Sequence, residues 1–383
     1  MSTEIAFVRR QALEPLPPPA NTVGVVGWLR ANLFSSPLNI ALTALGLYLA
    51  YLVLPPIIKF MITDAVWNGT NREACINKEG QAPVGACWAF IRDRFAYTIY
   101  GSYPVEGRWR ANLFFLLGAI AILWVLHPRA PRKSWGMLYA FVLVPIISFL
   151  LLRGANWLSG IGLPYVETAR WGGLLVTLVV AAVGIVVSLP VGILLALGRR
   201  SQMPLVKFFS VMFIEFVRGV PLITVLFMAN TMLPLFLPEG WSFDKLLRAL
   251  VGIAMFASAY MAEIVRSGLQ ALPKGQYEGA MAMGLNYPQM MRLVILPQAL
   301  KVAIPNIVNT YIGLLKDTSL LLIVGIFDFL KAIETARIDP TWAAPTTSAT
   351  GYAYAAIVYF IMCYGMARYA RSMERRLAVA DKR

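Results

Sequence analysis

Histidine, cysteine and acidic side chains are scarce in this sequence. Of 383 residues only 14% are charged, with 19 Asp and Glu against 34 Lys and Arg, and there is one histidine. The lone His127 sits at the end of an apolar stretch, so a histidine-based metal cluster or catalytic triad has nothing to build on. No Gly-Lys dipeptide occurs anywhere, which leaves out a phosphate-binding loop of the GxxxxGK[ST] kind. Three cysteines, Cys75, Cys87 and Cys363, are too few for a disulfide scaffold.

What is present is apolar: 58% of residues are hydrophobic, beyond the range of ordinary soluble domains. Stretches long enough to cross a hydrocarbon core of roughly 30 Å recur along the chain rather than once at its start. Eight spans are expected, over Asn39–Met61, Ala111–Leu126, Trp135–Leu152, Gly172–Leu197, Phe208–Leu237, Leu246–Ser267, Val302–Phe327 and Tyr352–Tyr369. They fall into three N-terminal helices (39–152) and five core helices (172–371), giving an all-α polytopic membrane protein. Residues 1–38, with Arg9, Arg10 and a proline-rich run, read as a cytoplasmic arm, and residues 372–383 as a cytoplasmic tail.

The lysine and arginine bias sets the orientation. With both termini inside the cell, Arg30, Arg129, Arg132, Lys133, Arg199, Arg200, Lys207, Lys274, Arg292 and Lys301 face the cytoplasm with few acids among them. The opposite loops hold Asp64, Glu73, Glu79, Asp93, Glu106, Glu167, Glu239, Asp244, Asp328, Glu334 and Asp339, which nearly neutralise their bases. A net charge of +15 is thereby absorbed by topology, and no basic cluster accompanies a soluble fold suited to nucleic acid. The longest external loop, 64–110, carries Cys75 and Cys87; they can form a disulfide there or stand as two buried thiols. Cys363 lies inside the last span as a packing residue.

Between the sixth and seventh spans runs Gln276-Tyr277-Glu278-Gly279-Ala280-Met281-Ala282-Met283-Gly284, followed by Val294-Ile295-Leu296-Pro297. Tyr277, Ala280, Met281 and Gly284 recur at helical spacing, predicting a short helix with one apolar face and a glycine allowing close approach. About 12 residues cannot span a bilayer, so this helix lies on the surface or docks elsewhere.

The segment resembles the cytoplasmic signature of permeases from binding-protein-dependent ABC importers: Glu-Ala-Ala, three residues, Gly, nine residues, Ile, one residue, Leu-Pro. Glu278, Ala280, Gly284, Leu296 and Pro297 match, while Gly279 replaces the middle alanine and Val294 the isoleucine. Three further stretches narrow the resemblance to the polar amino acid subfamily: 215–222 (EFVRGVPL), 259–268 (AYMAEIVRSG) and 315–320 (LKDTSL). The length and the three added helices look like the general L-amino acid permeases. The resemblance implies a type I importer core in which residues 276–287, with Tyr277, Glu278, Gly279, Ala280 and Gly284, form the coupling helix. It implies a separate ATPase dimer holding ATP and Mg, a second and homologous permease chain, a periplasmic binding protein and an amino acid substrate.

Charges inside spans need partners or water. Counted from Lys207 along a perpendicular helix, Glu215 lies about 12 Å and Arg218 about 16 Å deep, on one helix face at i, i+3. They read as an internal salt bridge or as part of a gate, and Gly219 and Pro221 point to a broken helix of the sort that lines transport sites. Glu263 and Arg266 repeat the spacing and read as structural. Asn309, Lys316, Asp317, Thr318 and Ser319 sit well inside the seventh span; they read as contacts for a zwitterionic substrate or as structure and gating. A carrier driven by an ion gradient and a scaffold without transport are the competing readings, and neither calls for a docking helix.

Overall fold

The structure is a computed structural model that describes residues 24–77, 83–127, 130–238, 240 and 243–380. The proline-rich arm with Arg9 and Arg10, together with Glu79, Arg129, Glu239 and the last residues 381–383, lies outside the described residues.

Contacts divide the chain into two units, residues 1–65 with 82–85, and residues 66–81 with 86–383. The first holds α1 (Gly24–Asn32) and α2 (Pro37–Ile58), the latter extended by a π-helical turn Lys59–Thr63. Ser36 caps α2 by accepting from the Asn39 amide, and Pro37 fits the first turn, where no backbone donor is needed. α2 buries none of its side chains, and its length and apolarity suffice to cross a membrane.

The second unit is helical throughout. α3 (Trp88–Tyr100) is short; α4 (Arg108–Leu126) is a span; α5 (Lys133–Leu138) and α6 (Val144–Arg153) form one span through the π turn Tyr139–Leu143. The core comprises α7 (Gly173–Arg199), α8 (Pro204–Gly219), α9 (Leu222–Phe227), α10 (Lys245–Ala271), α11 (Lys274–Ala282), α12 (Tyr287–Met290), α13 (Leu296–Asp317), α14 (Phe329–Arg337) and α15 (Pro345–Ala380). Among the described residues 7 helices are long and apolar enough to cross a membrane, and the bent pair α8–α9 makes up to 8. The expected all-α, polytopic architecture is thus present, with 7 to 8 candidate spans.

α7 and α10 pair most extensively. Gly192 of α7 allows it, because a Cβ there would meet Met261 of α10 at 2.7 Å, and Gly184 admits α13 in the same way, its Cβ meeting Leu314 at 2.8 Å. Two apolar clusters follow from this pairing. One gathers Leu175, Val179, Leu226, Ile253, Leu314 and Leu321, reaching Phe114 and Leu152 of the N-terminal helices. The other gathers Ala196, Ile214, Met261, Val265, Ala280, Ile295 and Ala299 around the end that carries α11.

The seventh span begins earlier than hydropathy suggests. Asn286 and Gln289 form a capping box at Tyr287, and the π turn Met291–Ile295 carries the helix on to Pro297 without a break. The end opposite α11 is closed by a cap of α3, α14 and the start of α15. Cys75 and Cys87 are bonded there, with Cα atoms 5.7 Å apart. The cap is fastened by Thr346 donating to the Cys75 carbonyl (3.1 Å), the Cys87 amide donating to Thr350 (2.8 Å), the Trp342 indole donating to Asp93 (2.8 Å) and Arg94 paired with Asp339 (2.9 Å).

Candidate functional site

Three groups of predicted residues occupy separate places on the core. The first is α11. Its inner face is fixed by Tyr277, whose hydroxyl donates to the Leu269 carbonyl at 3.0 Å and accepts from Arg200 at 3.1 Å, the Arg200 guanidinium also lying 5.5 Å over the ring. Ala280 is buried beside it, and Gln276 accepts from Gln298 at 2.9 Å.

The helix stops at Ala282 because Gly284 takes φ +74°. The Leu285 amide returns to the Ala280 carbonyl (3.3 Å) and the Gly284 amide to Met281 (2.9 Å), the paired bonds of a Schellman motif. Leu285 packs into the same apolar cluster as Ala280. This corrects the expected face: a left-handed residue leaves the helix, so Gly284 never joins Tyr277 and Ala280, and those two turn inward. The outer face is formed instead by Glu278, Gly279, Met281 and Met283, the methionines 57% and 80% exposed.

The second group is a charge cluster at the same end of the core. Glu215 and Arg218, expected as partners, each bond to another helix. Arg199 at the end of α7 meets Glu215 at 2.7 Å and Glu263 of α10 at 3.5 Å, while Arg218 approaches Glu263 at 3.7 Å and lies 5.5 Å over Tyr260. Arg266 completes the hub on Glu263. Because Glu215 reaches the last residue of α7, α8 runs obliquely and does not carry its charges perpendicularly into the bilayer. It buries Ser210, Ile214 and Val217 on one side. After Gly219 the chain is extended through Val220, as a residue before proline prefers, and α8 meets α9 with its continuation to Phe236 at 105°. The broken helix is therefore present. Arg199 and Glu263 escaped the sequence reading as site residues; the signal was that an arginine closing one span and an acid inside another both neighbour the α8 charges.

The third group is on α13. Asn306, Asn309 and Lys316 are exposed, and a Cβ added at Gly313 would meet nothing within 4 Å. With Gly313 between them the spacing is 3, 4 and 3 residues, which makes one open polar stripe. Asp317 is partly buried and ends α13, after which a 3-10 segment Thr318–Val324 begins. Thr318 is buried and donates to the Leu315 carbonyl (2.7 Å), and Ser319 donates to that of Lys316 (2.9 Å). The five residues thus divide, with Asn309 and Lys316 presenting polar groups outward and the two hydroxyls bound to backbone. Among the described residues no ion pair or hydrogen bond joins Arg218 to this stripe.

A family model described as the binding-protein-dependent transport system inner membrane component matches residues 188–379, from within α7 to the end of α15. The chain is 48% identical over 367 residues, covering 94% of itself and 95% of the relative, to the inner membrane amino-acid ABC transporter permease protein YhdY of Escherichia coli (strain K12). It belongs to this permease family. A second relative, the glutamate/glutamine/aspartate/asparagine transport system permease protein BztC of Rhodobacter capsulatus, is 41% identical over 98% of this chain and 99% of that one. A solved amino acid ABC transporter with histidines is 28% identical over 53% of this chain and 92% of that chain, at a TM-score of 0.47. As a permease of this family the chain is a multi-span inner-membrane transporter subunit working with an ATPase and a substrate-binding protein, which decides against a carrier driven by an ion gradient.

Proposed function

We propose that this permease takes up amino acids presented by a periplasmic binding protein, as one of two different but homologous permease chains driven by an ATPase dimer that binds ATP and Mg. The names of two relatives covering nearly its whole length support the substrate class. Both termini are cytoplasmic, as the lysine and arginine bias argues. The α11 helix is the coupling element, and its construction carries the reading. Its inner face is buttressed by Tyr277, while its outer face leaves Met281 and Met283 exposed, as a short helix awaiting a groove would.

The α13 stripe borders the substrate route, with the Lys316 ammonium and the Asn309 amide available to a carboxylate. The Arg199, Glu215, Arg218 and Glu263 cluster beside the α8–α9 break is the gate. The test is Met281→Asp with Met283→Asp, which places two charges on the outer face and none in the core. The permease pair is expected to assemble and to lose its ATPase on purification. A complex retaining the ATPase and wild-type uptake would remove α11 from the interface.

A further inference from the structure

α15 is much longer than a membrane requires. Its 36 residues extend about 54 Å, against roughly 30 Å of hydrocarbon. Its first turns are tied into the cap through Thr346 and Thr350, so the excess emerges at the other end, beyond about residue 370.

One face of this helix has no protein against it. Ile357, Phe360, Ile361 and Tyr364 are exposed, Phe360 and Ile361 by 67% and 63%, and the same face continues into Arg368, Arg371 and Arg375, all exposed. At 100° per residue the three arginines fall within about 60° of one another and in line with Tyr364. Tyr364, Arg368, Arg371, Ser372 and Arg375 line a shallow groove. The Arg371 guanidinium lies 5.9 Å from the Tyr364 ring centre, and its Nε donates to the Ala367 carbonyl at 3.4 Å. None of the three arginines is in an ion pair among the described residues. Glu374, the nearest acid in sequence, points about 80° away from Tyr364 around the helix.

We propose that this groove binds the headgroup of an anionic phospholipid of the cytoplasmic leaflet, a site that rests on the cytoplasmic placement of the C-terminal end proposed above. The continuity of the stripe selects this occupant. Its apolar part faces acyl chains, a tyrosine stands where such rings meet the headgroup layer, and three guanidiniums follow at the same azimuth, where a phosphate accepts paired donors. A soluble acidic partner would account for the arginines and leave Phe360 and Ile361 uncovered. A second permease chain would cover the apolar part and would have to bring its own acids.

The assembled transporter, purified in detergent, would be exposed to mixed micelles of phosphatidylglycerol and phosphatidylcholine, and the retained lipids counted by native mass spectrometry. Wild type is expected to retain phosphatidylglycerol selectively. The combined Arg368→Gln, Arg371→Gln, Arg375→Gln variant is expected to lower that preference by roughly 100-fold, each arginine favouring the anionic surface about fivefold, and high salt is expected to weaken it in wild type. Equal preference in wild type and variant overturns the site. So does a variant that sheds the second permease chain with its lipid preference unchanged, which would make the stripe a contact between chains. Lipid retention in micelles is independent of sidedness. An Arg375→Cys variant labelled by an impermeant reagent added outside intact cells would therefore overturn the leaflet and the topology alone.

Discussion

Gly284 offers a test in which two physical explanations predict opposite orders. Its φ of +74° is one that L-residues avoid, and a Cβ built there meets nothing within 4 Å. Within this chain the cost of a side chain is therefore conformational and not steric: about 1 kcal/mol for alanine, up to about 2 kcal/mol for a β-branched residue, and less for asparagine, which tolerates the left-handed region. Losing 1–2 kcal/mol shifts the ratio of capped to frayed α11 by about 5–30-fold, and a frayed α11 loses both Schellman bonds. The assay is the number of ATP molecules hydrolysed per amino acid imported in proteoliposomes with binding protein, alongside hydrogen exchange at the Leu285 amide. Coupling and protection should both decline in the order Gly, Asn, Ala, Val. If Gly284 serves instead to admit the ATPase surface, side-chain bulk decides, so Asn falls below Ala while the Leu285 amide stays protected. That order would refute the capping argument.

Asp328 is buried at the head of α14, accepting from the Leu330 and Lys331 amides at 3.1 Å each, and burial pushes its carboxyl up to about 6. The folded state therefore holds the proton more tightly than the unfolded chain. Stability from this group is full below the ordinary aspartate value near 4 and is lost as pH rises to about 6, by at most about 3 kcal/mol. Asp328→Asn keeps the capping oxygen and should flatten thermal unfolding of the solubilised complex between about pH 4 and 6; parallel curves for variant and wild type would refute this. Lys316→Met keeps the stem of an exposed side chain and should assemble normally, yet lose uptake or shift substrate preference. Normal uptake of every amino acid by the assembled variant would remove the α13 stripe from the route.

Hydropathy made the spans legible because a hydrocarbon core imposes length and apolarity residue by residue. The break after Gly219 was equally legible, since proline constrains its neighbour locally. The start of the seventh span was not: Arg292 and Lys301 interrupt the apolar run, and nothing in hydropathy reveals that a π turn carries the helix past Arg292 and straight into α13, which holds Lys301. The pairing of Glu215 and Arg218 was not legible either. Spacing of i, i+3 states that two charges share a face, whereas their partners are set by the tilt of α8 against α7 and α10. On α11, periodicity implied one apolar face running through Gly284, but a glycine at that interval fits a helix interior and a helix end alike, and only its φ distinguishes them.

The ends of α7, α8, α10 and α11 bring α11 and the charge cluster within two successive residues. Arg199 and Arg200 close α7, and about 100° of helix rotation points them to different neighbours. Arg200 holds the Tyr277 hydroxyl and ring of α11, while Arg199 holds Glu215 of α8 and reaches Glu263 of α10. With α11 as the docking helix, its displacement moves the last turn of α7 and so the charges flanking the α8 break. Glu263 can yield to that motion. Its Oε2 stands 3.5 Å from Arg199 and 3.7 Å from Arg218 without a hydrogen bond to either, distances at which an ion pair is held by charge more than by directed bonding. Arg266, on the same helix, stays with Glu263 whichever way α8 moves. The carboxylate thus keeps one partner and can exchange the other two, which is what the gate proposed above needs if it is to open without leaving a charge unpaired.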